Sequence, residues 1–541
     1  MKRRNFIKLT SSASAIGLLP HQVTSAFNIA KNFLNCDITN RKIILINLAG
    51  GNDGLNTLIP LDNYSLYATL RPTLKIPETG PDSYINLDTS LNANQQLGLH
   101  PALVGFKSLY DQGLLRILQS VGYPSQNKSH FASEDIYMTG NDGNSWNNGS
   151  SSGFIGRFME SFYADLFQST FPVGVEIGSK SGSLGFHGEE EHGLAVNIQG
   201  QDPSGFYSIL STLGGLPPEY IPDSDYGDEL QYIIQTDQLS NIYSQAIENA
   251  FNNGSNSATY EDTDISDQLK TVARLISGGL ESKVYMVRLG GFDTHFSQIQ
   301  SANGVIGKHN ELLSELNDAV TSFMNDINAQ SLEEDIVGLT FSEFGRKAAE
   351  NGNLGTDHGE IAPMFVFGEP VNGGVSGTNV DLTEATSSNN YQITTYQYDY
   401  RQTIGTLFQD FLGADNLAID ATFFNHTSME SFADPNNKIT ELVKPGYSVA
   451  SNCYTNTLSD SSQSKKYFRI TPNPFKNSIH IKGNNYSGEI EYKIYDLNSR
   501  LVLKGNAMID EPIMINELMN GIYLITLKFN NNSESHRIIK S

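Results

Sequence analysis

Cysteine, tryptophan and positive charge are all scarce in this 541-residue chain. Its two cysteines, Cys36 and Cys453, allow one bond at most, so no disulfide framework holds the fold, and their separation in sequence leaves pairing open. Lys and Arg number 35 against 59 Asp and Glu, a formal net charge of -24. No local basic patch interrupts that background, which argues against nucleic acid as a partner. Past the N-terminus no run approaches the ~20 apolar residues of a membrane span, so no transmembrane segment is expected in the mature form. What remains is acidic and rich in Asn, Ser and Gly, as suits an exported protein, and long enough for more than one domain.

Three apolar stretches end in acids. Ile43-Ile44-Leu45-Ile46-Asn47-Leu48 breaks into Ala49-Gly50-Gly51-Asn52-Asp53-Gly54, and Val284-Tyr285-Met286-Val287-Arg288-Leu289 into Gly290-Gly291-Phe292-Asp293-Thr294-His295. The third, from Ile336 to Phe341, stops at Ser342-Glu343-Phe344-Gly345-Arg346, and a Gly- and Asn-rich excursion then reaches Gly355-Thr356-Asp357-His358-Gly359. Such runs read as strands buried on both faces. In open parallel sheets ligands bind beyond the carboxyl ends of the strands, so Asp53, Asp293 and Glu343 are expected to converge there, with His295, Asp357 and His358. Asp293 and His295, two apart on an extended segment, point to one side. Carboxylates and imidazoles together suit one or more divalent cations, Zn, Mn, Mg or Ca. A single strand-end Asp is as readily a turn residue or a helix cap; the coincidence of three predicts a metal site.

The first residues, Met1-Lys2-Arg3-Arg4-Asn5-Phe6-Ile7-Lys8-Leu9, followed by a weakly apolar segment and Thr24-Ser25-Ala26, read as a signal peptide over 1–26. The stretch from Asn56 to about Asn94 is polar and reads as a surface excursion. Pro101 to Gly113 is expected as a helix and Leu114 to Val121 as the next strand, implying a parallel sheet. That strand runs into Ser129-His130-Phe131, where a helix whose amino end favours an anion should open. A serine there is most often an N-cap. The loop from Gly140 to Gly153 holds the only tryptophan, Trp146, and His187 and His192 flank a glutamate run that reads as a solvated charge cluster. Residues 201–278 look like a helical insertion capping the site, and 427–465 a Ser-, Asn- and Asp-rich linker. From 466 to 541 about seven short strands follow at tight spacing, with Tyr523, Ile525, Leu527 and Phe529 alternating onto one face. That is the pattern of an all-β, immunoglobulin-like sandwich.

The tail resembles the C-terminal sorting domain of the type IX secretion system of the Bacteroidota, on Pro472-Asn473-Pro474-Phe475, Tyr495-Asp496-Leu497-Asn498-Ser499-Arg500-Leu501 and Gly521-Ile522-Tyr523. The N-terminus resembles a twin-arginine signal. The resemblance implies passage through the periplasm to the cell surface or the exterior, with the secretion machinery as partner. Residues 40–425 resemble the family called domain of unknown function 1501, carried by Gly50 to Asn56, Ser129 to Phe131, Gly290 to His295, Ser342 to Arg346 and Gly355 to Gly359. That family is similar to the alkaline phosphatase and sulfatase superfamily, which implies a mostly parallel α/β sheet sandwiched by helices. By that likeness Asp53 is the first metal ligand and Ser129 the nucleophile position with His130 beside it. Asp293, His295, Glu343, Asp357 and His358 would complete a site for two divalent cations. The activity so implied is metal-dependent hydrolysis of phosphate or sulfate esters, with an anionic ester as substrate. The chain departs from the superfamily in its Asp-Thr-His spacing and in Glu343, which leaves a non-catalytic surface or secreted binding protein as the alternative.

Overall fold

The computed structural model describes residues 38–144, 152–166, 169–178, 184–188, 195–198, 242–300, 305–423 and 431–449, and the strand segments of 468–540. The signal segment, Cys36, Cys453, Trp146 and the glutamate run with His192 lie outside the described residues. The chain forms two compact units, Met1–Thr457 and Leu458–Ser541.

Strand β1 (Lys42–Ala49) is buried at every position, as its continuous apolar run demands. A small antiparallel sheet follows, β2 (Leu58–Pro60), β3 (Ile85–Asn86) and β4 (Leu97–Leu99), in the order β2-β4-β3. The main sheet continues with β5 (Leu115–Gly122), β6 (Gly174–Ile177), β7 (Ala195–Ile198), β8 (Val284–Gly290), β9 (Ile336–Phe341), β10 (Ala362–Phe367), β11 (Gly374–Ser376) and β12 (Tyr398–Asp399). Its order is β11-β5-β10-β9-β1-β8-β6-β7, with β12 beside β5. All pairings are parallel except those of β10, which runs against both β5 and β9. The reversal has a plain cause: after β9 the chain makes its excursion over residues 342–361 beyond the strand ends, and β10 starts back from that same edge. The fold is therefore a mixed, mostly parallel α/β sheet.

Helices cover both faces. Val104–Asp111, Asp264–Ser277 and Lys308–Ala329 pack on Ile44, Ile46, Leu48, Tyr285 and Val287, while His130–Thr139, Phe154–Phe162, Tyr400–Asp410 and Asn416–Thr422 pack on Ile43, Leu45, Met286, Val337 and Leu339. Alternate residues of one strand thus feed two cores. Of the stretch 201–278, residues 201–241 lie outside the described residues, and Asp264–Ser277 belongs to the helix layer on β8.

Two expectations are corrected. Residues 56–94 are no mere surface excursion, because Ile59, Tyr67 and Ile76 are fully buried in a satellite core and Arg71 is fully buried beside them. Polar composition hid this, since the buried polar groups there are paired. Likewise the expected linker is packed over part of its length: Phe432, Ile439, Leu442 and Val443 belong to the second face of the main core.

The second unit holds β13 (Phe468–Thr471), β14 (Ser478–Gly483), β15 (Glu489–Tyr495), β16 (Leu501–Met508), β17 (Pro512–Met514), β18 (Gly521–Phe529) and β19 (Asn532–Lys540). They form antiparallel sheets ordered β13-β14-β17 and β16-β15-β18-β19. Ile479, Ile481, Ile490, Ile494, Ile525, Leu527 and Ile538 make one core, and Ile525, Leu527 and Phe529 share a face of β18.

A candidate metal centre at the strand ends

The loops after β1, β8 and β9 meet beyond the carboxyl edge of the sheet, and Arg346 ties them together. Its guanidinium donates from Nε to the Gly51 carbonyl (2.8 Å), from Nη1 to Thr356 (3.0 Å), and from Nη2 to Gly50, to Phe292 (2.9 Å) and to Asp293 Oδ1 (2.9 Å). Gly50, at φ 118°, lets the first loop touch the second, for a Cβ there would lie 2.4 Å from the Asp293 nitrogen. Phe344 lies fully buried with its ring 4.8 Å from that of His130 and 4.6 Å from that of His358.

Around Asp293 Oδ1 stand three imidazoles, with His295 Nε2 at 3.2 Å, His358 Nε2 at 3.2 Å and His130 Nε2 at 3.4 Å. His130, Asp293 and His358 form a group that can hold a metal ion, with ligand atoms within 4.8 Å of one another. His295 adds a further nitrogen, 2.8 Å from His358 Nε2. Each ring is held from behind. His358 Nδ1 lies 2.7 Å from the Lys128 carbonyl, which only accepts, so Nδ1 carries the proton and Nε2 a lone pair. His130 Nδ1 lies 2.9 Å from Glu343 Oε1, and His295 Nδ1 3.3 Å from Asp357 Oδ1. Proton-out, lone-pair-in imidazoles backed by carboxylates or carbonyls are the arrangement that metal-ligating histidines adopt.

Three ring nitrogens thus stand around one carboxylate oxygen, and the one on His358 carries a lone pair. His130 Nε2 is buried with no hydrogen-bond partner among the described residues. The donor set of imidazole nitrogens and one carboxylate suits zinc or another borderline divalent ion. On these grounds the residues fit a metal.

The charges agree. Partial burial works against ionisation of Asp293, yet Arg346, by its hydrogen bond and its charge, holds the carboxyl below the usual carboxylate range. The bond to Glu343 raises the pKa of His130, and burial lowers that of His358. Burial opposes the charge on Asp357 too, but Lys347 Nζ, 3.1 Å away, and Asn351 hold its pKa below the usual range.

The structure brings His130, Asp293, His295 and His358 to one point. Glu343 and Asp357 stand one layer back, holding His130 and His295, and Glu343 Oε1 also accepts the Gly50 N–H at 2.8 Å. Asp53 faces Arg71 instead, with Arg71 Nη1 2.6 Å from its Oδ2. Ser129 is the exposed N-cap of His130–Thr139, and its side chain makes no capping bond. Phe131 and Phe296, neighbours of two of the histidines, are 85% and 69% exposed. Sequence reasoning passed over Arg71, Gln298 and His309. Arg346 stood within a quoted motif but carried no assigned role, though an arginine beside a strand-end acid was a usable signal.

None of the curated proteins compared matches this chain. Among solved structures, a sulfatase from Pseudoalteromonas sp. is 10% identical, covering 94% of this chain and 88% of its own, at a TM-score of 0.32. A variant of the alkaline phosphatase PafA is 10% identical, covering 57% of this chain and 64% of its own, at a TM-score of 0.26. A protein in the alkaline phosphatase superfamily from Vibrio parahaemolyticus is 10% identical over 66% of this chain and 72% of its own, at a TM-score of 0.25. At such scores nothing of their activity passes to this chain. The family models are decisive on kinship: that for proteins of unknown function (DUF1501) matches residues 40–409, and that for the secretion system C-terminal sorting domain matches residues 469–541. The chain belongs to the DUF1501 family and carries a C-terminal sorting domain that marks it for export to the cell surface or the exterior.

Proposed function

We propose that this protein is an exported, metal-dependent hydrolase of phosphate or sulfate esters. The observation that carries the reading is the convergence of His130, His295 and His358 Nε2 on Asp293 Oδ1, each imidazole fixed from behind. A metal held there would supply Lewis acidity toward an ester oxygen. The chain's own residues do the rest. Arg346 fixes Asp293, while Glu343 and the Lys128 carbonyl set the rings of His130 and His358. Ser129 stands at the amino end of the ten-residue helix His130–Thr139, where unpaired N–H groups favour a developing anion. It is exposed there, directly before His130, and on this reading it is the nucleophile.

The second reading is a non-catalytic binding protein that keeps the fold and the cation. The locking of Asp53 onto Arg71 favours it, because a carboxylate expected among the ligands is engaged elsewhere. One experiment separates the two: metal analysis of the purified protein joined to a screen of aryl phosphate and sulfate esters, with Ser129→Ala measured on any substrate found. The hydrolase reading expects turnover that Ser129→Ala abolishes with metal content retained, since loss of even a bonded N-cap costs only ~0.5–2 kcal/mol. Full activity of Ser129→Ala rejects the nucleophile. Metal without any turnover leaves the binding protein.

A further inference from the structure

Asp53 is the strand-end acid whose surroundings differ most from those of a ligand. It is 1% exposed, and its Oδ2 accepts from Arg71 Nη1 at 2.6 Å and from Gln298 Nε2 at 2.5 Å. Arg71 is fully buried and is itself locked in place. Nε donates to the Ala348 carbonyl, Nη2 to that of Lys347 and Nη1 to Asn56 Oδ1, each at 2.8 Å. Asn56 Oδ1 in turn accepts from the Tyr67 hydroxyl at 2.8 Å, and Asn56 Nδ2 donates to the Leu74 carbonyl at 2.7 Å. Gln298 is held by Thr294 at 3.1 Å and Thr356 at 2.9 Å. For the guanidinium to swing aside, the Lys347 and Ala348 carbonyls would have to lose their donor and a fully buried charge its partners.

A metal ion bound to Asp53 would therefore meet a permanent positive charge at contact distance in a low-dielectric interior. Arg346, at 0% side-chain exposure, places a second guanidinium on the inner side of Asp293. Each of the two carboxylates thus already has a fixed guanidinium against it, Arg71 on Asp53 and Arg346 on Asp293. We propose that Arg71 is the built-in counter-cation of Asp53, and that the centre is mononuclear: one divalent ion per chain, held by His130, His295, His358 and Asp293, with Asp53 no ligand. This rests on the metal-centre reading given above and fixes its stoichiometry, against the two cations that the superfamily likeness implies. Asp53 Oδ1, buried with no hydrogen-bond partner among the described residues, is an atom through which a second ion could enter, so the test addresses it directly.

The test loads the full chain, stripped with chelator, with zinc chloride or manganese chloride, removes excess by gel filtration, and counts metal per chain by mass spectrometry. Asp53→Asn and His358→Ala are treated alike. One equivalent in the parent and in Asp53→Asn, and loss of most of the bound metal in His358→Ala, is expected. Two equivalents in the parent overturn mononuclearity while leaving the metal centre standing. No bound metal in the parent overturns the centre itself and this inference with it. Should Asp53→Asn not fold, the double variant Asp53→Leu/Arg71→Met replaces the pair by apolar groups of similar volume; loss of its metal would place Asp53 among the ligands and refute the assignment.

Discussion

Replacing Arg346 by lysine probes the joint on which the site depends. The arginine side chain is wholly buried and serves five acceptors, the carbonyls of Gly50, Gly51, Phe292 and Thr356 and the Asp293 carboxylate. An ammonium has three donors on one atom and cannot span that fork, so at least two buried acceptors lose their partner. At ~1–3 kcal/mol for each stranded group the loss is about 4 kcal/mol. Unfolding entropy near 2.1 cal/mol/K per residue, over the roughly 340 described residues of the α/β unit, gives about 0.7 kcal/mol/K, so its melting temperature should fall by about 6 °C. The measurement is differential scanning calorimetry of parent and Arg346→Lys in chelator, at one scan rate, so that metal linkage does not enter. Repeated with zinc, the parent should gain more stability than the variant, because Asp293 is no longer fixed. A variant melting within about 1 °C of the parent in chelator would refute the idea that this guanidinium holds the three loops together.

Further outcomes are expected. His309 and His100 are buried neutral, and burial lowers the His309 pKa from 6.5 to about 4 and that of His100 well below 6.5. The unfolded chain then binds more protons between those values, so their stabilisation is complete above pH 6.5 and is lost as the pH falls toward 4. For His309 it is on the order of 3 kcal/mol. Melting curves across that range check it, and His309→Gln should flatten the slope. Asp53, held below the usual carboxylate range by Arg71 despite burial, extends the loss to lower pH, because its contribution is present above the unfolded pKa and vanishes as the pH falls through the folded one. The mature protein should begin near Phe27 and lose its sorting domain on secretion. Intact-mass measurement of the extracellular form tests this, and a full-length form confined to the cytoplasm refutes it.

The fold was legible in the sequence wherever burial is one-dimensional. Continuous apolar runs announced β1, β8 and β9, helical spacing of Leu312, Leu316, Val320, Phe323 and Ile327 announced Lys308–Ala329, and strict alternation announced β18, because side-chain period follows directly from backbone geometry. The same runs, broken by glycine and acid, marked the edge where the site lies. What composition could not show was which charged groups meet. Asp53 and Asp293 look alike in sequence, each an acid two residues past the glycine pair that ends its strand. Tertiary structure separates them by bringing Arg71, from a polar stretch with no periodic signal, onto one and three imidazoles onto the other. Nor could the sequence tell the acid that meets the imidazoles at the centre from those that hold the rings from behind. Glu343 and Asp357 become hydrogen-bond partners of His130 and His295 only because the loops over residues 342–361 fold back over the strand ends and β10 returns antiparallel from that edge. Residue type and period thus determined the strands and the chemistry available at their ends, and long-range packing decided which carboxylate meets three imidazoles and which is locked onto Arg71.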